Sequence, residues 1–194
     1  MKYTIFLTFI GLFFSPNTQA QYDLDKLYDD QLKMNRHGMM VLGGWAVSNM
    51  ALGGVMATQT EGVNYYFHIG NISWNSVNLA LAGLGYYTAR KRPDDASFSG
   101  LLKLHEDTKR SLLFNAGLDL AYITGGLWMA NVANRFDNPE MMEGFGVSFS
   151  MQGLFLFTFD VLFYLAQNAW GKKNLTPILN RIELTGNGIQ INLD

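Results

Sequence analysis

Four long stretches of this chain carry almost no charge, and they constrain its fold more than any other feature. Residues 38–60 and 62–89 contain no Asp, Glu, Lys or Arg, residues 111–134 contain only Asp119, and residues 144–171 contain only Asp160. A helix that crosses a bilayer needs about 20 predominantly apolar residues, and each stretch supplies them. One such window suits a buried core helix, but four in 194 residues exceed what a soluble domain of that size can bury. The expected fold is therefore all-α: a four-helix transmembrane bundle with spans near 38–60, 66–89, 111–134 and 145–170. Tyr65, Tyr66 and Phe67 before the second span, Tyr86 and Tyr87 at its end, and Trp170 at the end of the fourth read as interfacial aromatic belts.

The charges lie between these windows. Only 15% of residues are charged, and they crowd into 22–36, 90–110, 135–143 and the tail 172–194. A net charge of -2 without a basic stripe argues against nucleic acid as a partner. The chain has no cysteine, which excludes disulfides, thiolate metal sites and cysteine nucleophiles.

Residues 1–20 read as a secretory signal. Lys2 precedes an apolar run to Phe14, Ser15-Pro16-Asn17 break it, and Thr18-Gln19-Ala20 offers a cleavage site after Ala20. An uncleaved first anchor is the alternative. Residues 21–37 place Leu24, Leu27, Tyr28 and Leu32 at helical spacing among Asp and Lys, the pattern of a short amphipathic helix lying at the surface. Residues 99–110 are expected to start a helix that runs into the third span. In the tail, alternating apolar residues around Gly186-Asn187-Gly188 predict a small C-terminal β-hairpin. Signal and loop charge disagree on orientation. A cleaved signal exports segments holding 12 of the Lys and Arg residues, against Arg135 alone on the other side, which is the reverse of the positive-inside rule. Asp and Glu accompany most of those bases, so the exported N-terminus is preferred.

Polar residues inside the spans carry the functional reading. Asn49, Asn78, Asp119 and Asp160 sit near the middles of the four spans. On the second, Asn71, Asn75 and Asn78 share one helical stripe; on the third, Asn115 and Asp119 do, with Tyr122. On the fourth, Asp160 shares a face with Tyr164 and Gln167, and Gln152 lies about 80° round the helix. Polar groups facing hydrocarbon are costly, so these stripes should turn inward and meet. The bland reading makes them interhelical glue, with Asp119 and Asp160 neutral partners of Asn. The sharper reading is a hydrated pocket in which the two carboxyl groups bind a cation or proton. A charged Asp at mid-bilayer costs at least about 2.5–3.5 kcal/mol, and no Lys or Arg lies in any span to offset it. Gly44-x-x-x-Ser48, Gly43 with Gly54, and Gly125-Gly126 are expected to let helices approach closely.

His37 and His68 stand at span ends and His105 in a charged run, which marks all three as surface or interfacial residues. No metal site, cofactor or catalytic motif is visible. Asp119, Asp160 and His68 are the only acid–base candidates for the third-ranked possibility, a lipid-modifying intramembrane enzyme. The second possibility is a structural or accessory subunit whose polar stripe docks a partner membrane protein or a second copy of the chain.

The run Val41-Leu-Gly-Gly-Trp45-Ala-x-x-Asn49, followed by Tyr66-Phe67-His68 and Trp74-Asn75-x-x-Asn78, resembles an uncharacterised bacterial family of small multi-span membrane proteins. That resemblance implies a bacterial cell membrane as the location and the bilayer as the first partner. It implies no activity.

Overall fold

Each long helix starts where the local sequence satisfies its first free N–H groups. In the computed structural model, which describes residues 23–93, 96–185 and 188–191, the Asp23 side chain accepts from Lys26 N at 3.1 Å and opens α1, Leu24–Ala57. Ser97 accepts from Gly100 N at 3.1 Å and opens α3, Phe98–Asn131. Asn138 accepts from Met141 N at 3.0 Å ahead of Pro139, the first residue of α4, Pro139–Asn174. The start of α2, Gly62–Thr88, has no such cap; there Gly62 takes φ +59°, which a residue with a Cβ rarely adopts, and this lets four residues turn the chain back. A 3₁₀ turn, Ala133–Arg135, joins α3 to α4, and α5, Thr176–Leu179, follows α4.

The expected short surface helix over 21–37 does not stand apart from the apolar stretch that follows it. Nothing breaks the helix at His37-Gly38, so α1 runs straight through. Its first turns are buried by tertiary packing: Leu27 and Tyr28 form an apolar cluster with Leu101 of α3 and Leu175, flanked by Phe98, Trp170 and Ile178. At 1.5 Å per residue, α1, α3 and α4 extend to about 50 Å each, well beyond a hydrocarbon core of about 30 Å. Their overhangs lie at one end and make a small helical head. Residues 99–110 do continue into 111–131 as one helix, α3.

In the bundle α1 packs on α2, α2 on α4, and α4 on α3, while α1 meets α3 chiefly in the head. Arg36 Nη1 donates to the Ala89 carbonyl at 2.9 Å, placing a cation on the C-terminal end of α2. Small residues bring α3 and α4 together, but not all of the expected ones. A Cβ on Gly146 would stand 2.6 Å from both Ala130 N and Gly126 O, so backbone meets backbone there. Around Gly44, Gly54 and Gly125 a Cβ would meet nothing, so these glycines face outward and pack no helix of this chain.

Much of the interior between the helices is polar, while many large apolar side chains are exposed. Asn71, Asn75, Asn78, Asp119, Ser148, Gln152, Asp160 and Gln167 are buried, whereas Leu52 is 67% and Phe114 68% exposed. Two helices, α1 and α4, are long and apolar enough to cross a membrane by length and composition. Strands β1, Ile182–Thr185, and β2, Gly188–Ile191, run antiparallel with Ile182 opposite Ile191. The expected turn at Gly186-Asn187 and the expected signal over 1–20 fall outside the described residues, so the expected hairpin is not established as a unit.

Candidate functional site

Along α4 the buried polar residues form three storeys: Ser148 and Gln152, then Asp160, then Gln167. Steps of seven or eight residues keep them near one face and separate them by about 10–12 Å.

The first storey is a closed hydrogen-bond network. Asn71 Oδ1 of α2 accepts from Ser148 Oγ and from Gln152 Nε2, both at 2.9 Å. Gln152 Oε1 in turn accepts from Trp45 Nε1 of α1 at 2.9 Å, and the Trp45 ring stacks on Phe155 with centroids 3.7 Å apart. Asn75 Nδ2 donates back to the Asn71 carbonyl at 2.8 Å. The partners are all inside the chain, so Asn71 is used up in holding α2 to α4, with α1 joined through Trp45 and Gln152, while Asn75 bonds along its own helix. Asn49 is not part of it: its amide donates to Trp45 O of its own helix at 3.0 Å.

The second storey is open. Asp119 and Asp160 lie close together across α3 and α4, at 3% and 5% exposure. Two carboxylates only accept, so a contact between them is a hydrogen bond when one proton is held between them. They border a cavity of about 250 Å³ that Asn78, Asn115, Trp74 and Tyr122 also line. Asp119 Oδ2 and Trp74 Nε1, an acceptor and a donor on two of the lining residues, are buried with no partner. Asn115 is the one expected residue that is solvent-exposed by itself, because it stands where this cavity meets a second one. The second, about 580 Å³, also touches Asp160 and continues past Ser111 and Thr108 to Asp107 and Lys91 at the head. His68 lines neither cavity, which removes it from an acid–base group with Asp119 and Asp160.

The third storey contains a histidine placed at the surface by sequence reasoning. His105 is 2% exposed. Its Nδ1 lies 3.1 Å from Gln31 Oε1, which can only accept, so Nδ1 carries the hydrogen. Gln31 Nε2 donates to Gln167 Oε1 at 2.9 Å, and Gln167 Nε2 donates to Asn35 Oδ1 at 2.7 Å. Burial holds the imidazole below its ordinary value of 6.5, and Lys109 adds to this, while Glu106 and a hydrogen bond to Gln167 act the other way. The helical spacing of Gln31, Asn35 and Leu27, Leu32 was the available signal, since it puts two amides on the apolar face.

The sign of the pH effect follows. Above pH 6.5 His105 is neutral whether folded or unfolded and costs nothing. As pH falls below 6.5 the unfolded chain takes the proton first, so stability declines until the lowered folded value is passed. His105→Gln keeps amide-type hydrogen bonding without a titrating ring. Thermal unfolding in detergent should show a wild-type loss between pH 7 and 5 that His105→Gln reduces. An identical decline in both proteins would remove His105 as its source.

Residues 41–161 match a family of unknown function, DUF6992. The chain belongs to that family. The match spans 41–161 and so takes in Trp45, Asn71, Trp74, Asn78, Asp119, Gln152 and Asp160, while most of the head lies outside it. No curated protein and no solved structure matches the chain. Among the described residues no group of three or more His, Cys, Asp or Glu is placed to hold a metal ion.

Proposed function

We propose that the chain is a multi-pass protein of the cell membrane, with all four long helices crossing the bilayer, and that Asp119 and Asp160 bind a cation in exchange for the proton between them. The observation that carries this reading is the pair of orphaned polar atoms, Asp119 Oδ2 and Trp74 Nε1, on two residues that line one cavity. A buried polar group without a partner costs about 1–3 kcal/mol, so a cavity whose lining residues carry one such acceptor and one such donor favours a polar occupant. Large apolar side chains exposed on the outside, around buried amides and carboxyls, support the bilayer as surroundings. Water and protons reach Asp160 through the 580 Å³ cleft, whose mouth carries Lys91 and Asp107.

The accessory-subunit reading loses its feature, because the Asn71–Asn75 amides already bond within the chain. Two probes test the preferred reading in proteoliposomes, using the cysteine-free background. A cysteine at Asn115 should react with a charged thiol reagent at least tenfold faster than one at Val47, which faces outward on α1. The hydrophobic reagent dicyclohexylcarbodiimide, which attacks protonated carboxyls, should label Asp119 or Asp160. Equal reaction at Asn115→Cys and Val47→Cys, with no carboxyl labelling, would sink the proposal.

A further inference from the structure

Resting on that cation-binding reading, we infer that the occupant is an organic cation with an apolar body, a quaternary or protonated amine, that enters from the lipid side between α2 and α3. Three features of the cavity lead there. Its volume, about 250 Å³, is that of roughly eight liquid waters, and a dehydrated sodium or potassium ion would leave most of it unfilled. Its walls are mainly apolar and aromatic, with Trp74, Tyr122, Phe159 and Leu156 around the two carboxyls. An inorganic ion is held by a cage of oxygens, and this lining does not supply one on every side. Aromatic faces attract an alkylammonium group, and the effect grows when water is excluded.

The third feature is the rim. Val77 and Leu81 of α2 and Leu118 of α3 line the cavity and yet are 59%, 56% and 39% exposed on the outer surface. The cavity therefore opens sideways through an apolar rim, while the polar cleft leads from Asp160 to the head. An amphiphilic cation has a use for both. Its apolar part passes the rim, its charge sits against Asp119 and Asp160, and the displaced proton leaves to water through the cleft. One positive charge enters and one leaves, so the buried site keeps its net charge.

The edge-to-face contact between Trp74 and Tyr122, with centroids 4.6 Å apart, sets the ring walls next to Asp119. The Trp74 N–H is buried without a protein acceptor. A bound ligand with an acceptor atom, or a water carried in with it, would satisfy that donor.

The test is equilibrium titration of the full chain in detergent with benzyltrimethylammonium, tetramethylammonium, sodium and potassium in separate arms, following heat and proton release. Benzyltrimethylammonium should bind at least tenfold more tightly than either metal ion and release about one proton. Asp119→Asn should abolish the binding. Trp74→Leu, which keeps both carboxyls, should weaken it about fivefold, the size expected for one aromatic wall against a cation. Melting curves for both variants establish that they fold. Sodium or potassium binding as tightly, with the same dependence on Asp119, overturns the ligand class and leaves the cation site standing. Failure of every cation to bind in an Asp119-dependent way overturns both. Binding that persists in Asp119→Asn is partition into detergent and also overturns the inference.

Discussion

Gly146→Leu should prevent the bundle from assembling, whereas Gly44→Leu on α1 should be nearly silent. The contrast follows from where each missing Cβ would go. At Gly146 it would meet Ala130 N and Gly126 O at 2.6 Å, both of them backbone atoms that no rotamer change can move aside. The reverse side is as tight, since a Cβ on Gly126 would stand 2.5 Å from Gly146 O. Helices α3 and α4 would have to separate, and with them Asp119 and Asp160, which lie close together across this interface. Overpacking a close contact costs about 1–3 kcal/mol when side chains can yield, and more where they cannot. Leu at Gly44 instead projects into open space and adds apolar surface to a face already apolar. Size-exclusion profiles and unfolding by sodium dodecyl sulfate would measure both. Gly146→Leu that unfolds with the wild type would mean the α3–α4 approach is looser than described.

These two glycines also show how far the sequence alone reaches. A stripe of Asn, Gln or Asp along a long apolar helix announces an inward face, because an apolar environment penalises it. The adjacency of Asp119 and Asp160 is legible on that ground, as are Asn71, Asn75 and Asn78 on one side of α2. Glycine carries no such signal. Gly44-x-x-x-Ser48 has the spacing of a packing motif, yet it is Gly126, Gly144, Gly146 and Gly153 that lie against neighbouring backbone. Which glycine faces a helix depends on rotation of the helix as a whole, and the polar stripes fix that rotation.

The head is the part least readable from sequence. Leu24, Leu27, Tyr28 and Leu32 among acidic and basic residues fit a helix on a bilayer surface and a helix packed on protein equally well. The decision comes from Leu101 and Leu175, distant in sequence, which bury the same face. His105 was hidden for a similar reason. Its neighbours in sequence are Glu106, Asp107 and Lys109, but its neighbours in space are Gln31, Gln167 and Trp170. A charged run marks one side of a helix as solvated and says nothing about the other.

Asn71→Leu should destabilise the bundle by about 2–4 kcal/mol, the largest loss from any single polar residue on α2. Asn71 Oδ1 is the acceptor for two buried donors, Ser148 Oγ and Gln152 Nε2, and the variant strands both. Each stranded donor costs about 1–3 kcal/mol, well above the 0.6 kcal/mol that an average interhelical hydrogen bond contributes in a membrane. The asymmetry provides the check. If the loss came from missing attraction, removing the donors as well would make matters worse. If it comes from orphaned groups, Ser148→Ala and Gln152→Leu on top of Asn71→Leu should recover much of it. Recovery will be incomplete, since Trp45 Nε1 then loses its acceptor on Gln152. Unfolding free energies for the single and the triple variant, measured in one detergent, decide between the two accounts. A triple variant less stable than Asn71→Leu alone would show that the network stabilises by attraction, and that its polar groups are not held there merely because each needs the others.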